Sequence, residues 1–238
     1  MTRDVQRWLT HLTEVSGPLT RSLDYDTTLR QVVRLPIPAL ADWCMVYIPD
    51  DGGPVPARLE LAHAHPLKEA LLRRIWHRDW TTLPEHHPLV QTLRDRLPIV
   101  VEDLNPRDLH RLCPLAEDAN TLQRVGARSM VILPLVAHGV IIGAVMLVVS
   151  ATRRRAYLET QRDLLLKLGE CYAQAIYNAR LFIEARQAVR LKDEVIAATR
   201  HQLLELAASI GDHPQTAQSE IRRIAQRLDV FTEPYGRG

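Results

Sequence analysis

GARSMVILPLVAHGVIIGAVMLV, residues 126–148, is the stretch on which the fold turns. Apolar residues, many of them β-branched, run from Ser129 to Val136 and again from Val140 to Val149. Each run has the length and composition of a strand, and His138-Gly139 joins them. Two strand runs separated by so short a Gly-containing link predict a tight antiparallel hairpin.

Reading outward toward the N-terminus, Pro98-Ile99-Val100-Val101 is a further short strand, separated from the hairpin by a long, polar, partly helical connection over 103–126. Residues 88–96 place Leu89, Val90 and Leu93 on one helical face, and residues 66–79 do the same with Leu67, Ala70, Leu71, Ile75 and Trp76. Before them, the apolar run Trp43–Ile48, the turn Asp50-Asp51-Gly52-Gly53 and the alternating Leu59–His63 predict a second hairpin. A helix is expected after Asp24, capped by Asp26, with Thr28, Leu29, Val32 and Val33 following. Another is expected over 1–20, where Val5, Trp8, Leu9, Leu12 and Val15 recur at helical spacing before Gly17-Pro18. From Tyr157 to Gly211 the pattern is helical throughout. This order of elements implies an α+β domain of about 160 residues, an antiparallel sheet with helices on one face.

Composition narrows the function classes. The 238 residues are 46% hydrophobic and 24% charged, which predicts a packed core. A net charge of +2, with no basic run interleaved with aromatics, argues against a nucleic-acid partner. The opening Met1-Thr2-Arg3-Asp4 does not lead into an apolar leader, and the longest apolar run is about half of the roughly 20 residues that cross a bilayer. No membrane association is expected. Cys44, Cys113 and Cys171 are scattered, odd in number and without CxxC spacing, which fits a cytoplasmic protein and argues against a zinc site.

Three stretches together resemble the GAF domains of bacterial signalling proteins. LADWCMVYIPDDGG (40–53) resembles the first hairpin, PIVVEDL (98–104) and GARSMVILPLVAHGVIIGAVMLV (126–148) the central strands, and LGECYAQAIYNARLFIEA (168–185) the closing helix that runs on as a signalling helix. The likeness implies a GAF fold over residues 21–185 and a sensing role. It also implies a ligand site between the sheet and the connection joining its third and fourth strands, but not which ligand. The segment KDEVIAATRHQLLEL (192–206) is similar to the dimerisation and phosphoacceptor helix of sensor histidine kinases, with His201 at the phosphoacceptor position. It departs from that pattern at Gln202, Leu204, Glu205 and Leu206, and glutamine cannot withdraw a proton as an acidic neighbour would. No Gly-rich phosphate loop is present, so self-phosphorylation is not expected and the chain reads as non-enzymatic.

The helix also carries its own signal. Leu168, Ala175, Phe182, Val189, Ile196, Leu203 and Ile210 recur every seven residues, and all are apolar. Such a stripe predicts a seam with a partner helix, most simply the same helix of a second copy. In that frame His201 lies on the solvent side. Gly211-Asp212-His213-Pro214 ends the helix, and Ile221, Ile224, Leu228 and Phe231 predict a shorter helix folding back, so that 186–238 forms a dimerising hairpin.

Other constellations give weaker signals. His63 and His65, placed on one strand face, and His86-His87 have no Cys or carboxylate at ligand spacing, so no metal is expected. Cys113 lies where some GAF photoreceptors attach a bilin, but Pro114 follows where those show histidine, and the default is a structural thiol. A redox role for Cys113 is weaker still. His110 is a conceivable haem ligand. Trp76, Trp80, His110, Cys113 and Arg128 are the candidates for lining a ligand pocket, with Trp76 equally readable as core and Arg128 suited to an anion.

The sequence thus predicts a cytoplasmic sensor. Its GAF domain meets a small ligand or a partner protein, and a homodimeric helical bundle relays the change; no cofactor is expected. The alternatives are a phosphotransfer module modified on His201 by a separate kinase and read by a response regulator, and a bilin- or haem-binding sensor.

Overall fold

The computed structural model describes residues 24–49, 57–76, 83–113, 115–150 and 162–209. The expected helix over 1–20, the turn at 50–53, Trp80, Ile210 and the fold-back helix of the 186–238 hairpin lie outside them. Contacts divide the chain into two units, Met1–Ile183 and Glu184–Gly238.

The first unit is built on a five-stranded antiparallel sheet, composed of β1 (Trp43–Ile48), β2 (Arg58–His63), β3 (Ile99–Val101), β4 (Ala127–Ala137) and β5 (Val140–Ser150), in the order β2-β1-β5-β4-β3. The hairpin expected from 126–148 is its centre. His138 and Gly139 both take positive φ, 51° and 76°, which is what a two-residue turn matching the strand twist demands. β4 and β5 pair from Ala127↔Ser150 to Ala137↔Val140, with register shifts at Ala127/Ser129 and Leu135/Val136. β1 pairs with β2 on one side and β5 on the other.

Both faces of the sheet are covered, which corrects the expectation of helices on one face. Along β1 the even residues Cys44, Val46 and Ile48 join one core, while Trp43, Met45 and Tyr47 join the other. The first core is closed by α1 (Tyr25–Arg34), through Tyr25, Leu29, Val32 and Val33, and by the start of α6 (Arg162–Ser209), through Leu165, Leu168, Tyr172 and Ile176. The second is closed by α2 (Pro66–Ile75), α3 (Pro88–Asp95), α4 (Pro106–Leu112) and α5 (Ala116–Val125). The last two are the ordered form of the long connection over 103–126. The strands had already carried the sign of this arrangement: β1, β4 and β5 are apolar at nearly every position instead of alternating, as strands buried on both faces must be.

Local chemistry fixes each helix. Asp24, not Asp26, caps α1, its Oδ1 accepting from the Thr27 N–H at 2.7 Å, and the bond holds the carboxyl below the usual range. Asp26 instead sits in the first turn, 3.5 Å from Arg58. α4 opens with a reciprocal capping box between Asn105 and Asp108. α5 ends on Gly126 at φ 88°, and Lys68 Nζ reaches across from α2 to the Val125 carbonyl at 2.8 Å. Arg73 ties α2 to the edge strand β2, donating to Glu60, Glu69 and the Leu61 carbonyl, while Arg34 of α1 pairs with Glu69 at 2.9 Å.

Candidate functional site

The expected pocket residues do not share one environment. Trp76 is buried in the second core, its ring centroid 5.3 Å from that of Trp43 at 45°. Cys113 is buried in the same core, and burial, aided by Asp118, pushes its thiol up to about 12, so at neutral pH it is a protonated, unreactive group. His110 and Arg128 are exposed, and Arg128 lies 3.8 Å from the Asp103 carboxylate.

The space between the sheet and α2–α5, where the resemblance implies a ligand, is filled by Met45, Leu72, Leu89, Leu109, Leu122, Met130 and Ile132 among others. The polar groups inside this layer are the informative ones. His87 caps α3: its Nδ1 accepts from the Leu89 N–H at 3.2 Å, and its Nε2 meets the Leu112 carbonyl at 3.1 Å. Burial lowers its pKa, so the ring is a neutral strut between α3 and α4. Trp43 and His63 face each other across β1 and β2. The Trp43 indole Nε1 and the His63 Nε2 are buried and have no hydrogen-bond partner among the described residues. A buried N–H left unpaired costs about 1–3 kcal/mol, so two on opposed residues call for a reason.

His63 and His65 are not a ligand pair on one strand face. His63 ends β2 and is buried, whereas His65 is exposed at the start of α2 and donates its backbone N–H to His63 Nδ1 at 2.8 Å. Among the described residues no group of three or more His, Cys, Asp or Glu is placed to hold a metal ion. A separate cleft of about 240 Å³ opens between α2 and α5, floored by Leu71 and Ile75 and ringed by Arg74, Arg124, Glu117 and Asp118.

The seven-residue stripe divides. Leu168 and Ala175 are buried in the first core of their own chain, so the seam expected from Leu168 onward starts too early. Phe182, Val189, Ile196 and Leu203 are exposed, Val189 to 57% and Ile196 to 54%. His201 is exposed on α6, its Nε2 3.3 Å from Glu205 Oε1. No described helix is long and apolar enough to cross a membrane.

Sequence reasoning missed the Trp43–His63 pair. The only signal available was hairpin register, and the long connection between the two strands leaves that register open.

Comparison with known proteins agrees with this architecture. The family model described as GAF domain matches residues 24–176. Among solved structures the chain is similar to the GAF domain of a phosphoenolpyruvate-protein phosphotransferase from Coxiella burnetii, at 14% identity over 76% of this chain and 98% of that one, with a TM-score of 0.55. It is likewise similar to the GAF domain of the phosphoenolpyruvate-protein phosphotransferase from Acinetobacter, at 14% identity over 76% and 97%, with a TM-score of 0.51. At such identities the likeness speaks to the fold alone. No curated protein matches.

Proposed function

The chain belongs to the GAF domain family, and from that premise we propose that it is a cytoplasmic signalling sensor without catalytic activity of its own, working as a homodimer through α6. A sensory or signalling role goes with the family. The observation that carries the rest of the proposal is the single helix Arg162–Ser209. Its first turns are part of the domain core, through Leu165, Leu168, Tyr172 and Ile176. Further along, Phe182, Val189, Ile196 and Leu203 stand exposed at seven-residue spacing. The same helix therefore starts in the core of the sensing domain and further along carries an apolar stripe that a second copy would cover. The input is a small molecule or a partner protein that binds two arrangements of the dimer unequally, since only a difference in affinity shifts such an equilibrium.

Light scattering tests the dimer. The whole chain should scatter as a dimer and a truncation ending at Arg186 as a monomer. A monomeric whole chain overturns the relay.

A second reading has one observation in its favour. His201 is solvent-exposed on α6 with the Glu205 carboxylate 3.3 Å from Nε2, a base beside the nitrogen that a phosphoryl group would reach. In that reading a separate kinase modifies His201 and a response regulator reads it. Acid-labile phosphate on the wild-type chain, absent from His201→Ala, supports it. Equal labelling of both, or of neither, removes it.

A further inference from the structure

The cleft between α2 and α5 lies outside the filled layer beneath the sheet. All of its lining residues come from those two helices and none from a strand. Leu72, Ala119, Leu122 and Val125 of the same helices turn into the second core and do not line it. The two helices run antiparallel. Near the start of α2, Lys68 Nζ reaches the Val125 carbonyl at the end of α5, at 2.8 Å. Arg74 and Ile75, at the end of α2, share the cleft with Glu117 and Asp118 at the start of α5.

This order gives the cleft two unlike ends. One holds the Glu117 and Asp118 carboxylates with the single cation of Arg74. The other holds Arg124, on the side where Lys68 adds a second cation. Glu117 and Arg124 are seven residues apart on one helix, about 10 Å along its axis at 1.5 Å per residue. Leu71 and Ile75 form the apolar floor, and the Thr121 hydroxyl already donates to the Glu117 carbonyl at 2.9 Å. The side chains of Arg74, Arg124 and Glu117 make no hydrogen bond or ion pair among the described residues. Opposite charges that face one opening without pairing are an arrangement a ligand can complete. A lone anion would meet two carboxylates and a lone cation the arginines. A molecule that carries both charges, set apart along an apolar chain, meets each with its complement. The volume of about 240 Å³ lies below the roughly 300–1,000 Å³ of drug-sized sites, which limits the occupant to a small molecule.

We propose that this cleft binds a small zwitterion whose ammonium and carboxylate are separated by an apolar stretch, as in an ω-amino acid or the two termini of a short peptide. The ammonium meets Glu117 and Asp118, the carboxylate meets Arg124, and the stretch between them lies on Leu71 and Ile75. The inference rests on the sensor reading in one respect, that the bound zwitterion is the signal.

The test uses the full ¹⁵N-labelled chain, titrated with 6-aminohexanoate and with alanyl-leucine. Hexanoate and hexylamine, which carry one charge each, and leucine, whose charges are adjacent, are the comparison ligands. The backbone amides of Leu71, Arg74, Thr121 and Arg124 should shift together and saturate with one affinity, about fivefold or more tighter for a separated zwitterion than for any comparison ligand. Whichever of the two zwitterions binds tighter assigns the amino-acid or the peptide source. Arg124→Gln and Glu117→Gln alter exposed side chains and should each weaken binding about fivefold. Arg124→Gln should erase the preference over hexylamine, and Glu117→Gln the preference over hexanoate, a pairing that a purely structural role would not produce. If neither zwitterion moves these resonances, if a comparison ligand binds as tightly, or if either variant binds like wild type, the charges serve only the helix macrodipoles and the site is overturned. The dimer measurement is independent: binding by a monomeric chain leaves the site standing and removes the relay, and a dimer that binds neither zwitterion does the opposite.

Discussion

At the scale of single residues, the buried imidazoles are where acidity will be felt. His63 carries a pKa pushed down to about 4, and burial lowers that of His87 as well. In the unfolded chain a histidine titrates near 6.5. Between that value and 4 the unfolded state binds a proton on His63 that the folded state refuses. Stability from this group is therefore complete above about pH 6.5 and is lost as pH falls toward 4, by roughly 3 kcal/mol if the whole shift is expressed. Urea unfolding of the whole chain at pH 7, 5.5 and 4.5 should show a falling midpoint, and His63→Asn should flatten that fall. A variant that loses stability as steeply as wild type would show that His87 or another group governs acid sensitivity. The same residue marks a limit of sequence reading. The spacing of His63 and His65 invited a shared strand face, but the strand ends at His63, so the second histidine turns away into α2. Trp76 was readable both as pocket and as core, and only its contact with Trp43 decides for core.

At the scale of elements, more was legible. Both hairpins, the short β3 and the helices over 25–34, 66–75 and 88–95 follow from periodicity and turn chemistry, because each signal is local. The second helical layer was not legible, because a continuous apolar strand shows that two faces are buried without saying what buries them. The packing of α6 on the sheet turns on one small residue. A Cβ built on Gly169 would lie 2.9 Å from the Pro134 carbonyl oxygen and 3.4 Å from Leu133 Cβ. In a free helix Gly→Ala stabilises by about 1 kcal/mol. Here the obstacle is the backbone of β4, which cannot rotate away, and overpacking of this kind costs about 1–3 kcal/mol. Gly169→Ala should therefore lower the stability of the domain by about 1 kcal/mol, read as a lower urea midpoint at unchanged slope. A rise of similar size would mean that α6 rides on the sheet loosely enough to absorb a methyl group, and a helix so loosely seated could not carry a signal out of it.

At the scale of the whole molecule, the seven-residue stripe on α6 holds two kinds of residue that sequence alone could not separate. Leu168 and Ala175 repeat in phase with Phe182, Val189, Ile196 and Leu203, yet the first two are consumed by the core of their own domain. The reason is physical: a helix keeps its period while the surface it packs against changes, so the proposed seam for a second copy takes only the exposed residues from Phe182 on. Full burial of a Val, Ile, Leu or Phe side chain contributes about 1.5–3 kcal/mol relative to exposure. Phe182, Val189, Ile196 and Leu203 are 37–57% exposed, so a second copy that covered them would recover only a part of that figure for each. Val189→Glu combined with Ile196→Glu sets like charges into the middle of that seam, where an antiparallel or parallel pairing alike would desolvate them. Sedimentation of the full chain at micromolar concentration should show a dimer for wild type and a monomer for the double variant. Thermal unfolding of the domain should stay within a few degrees, because neither residue belongs to its cores. A double variant that still dimerises would move the interface off α6, and the helix would then have no role in carrying what the domain senses.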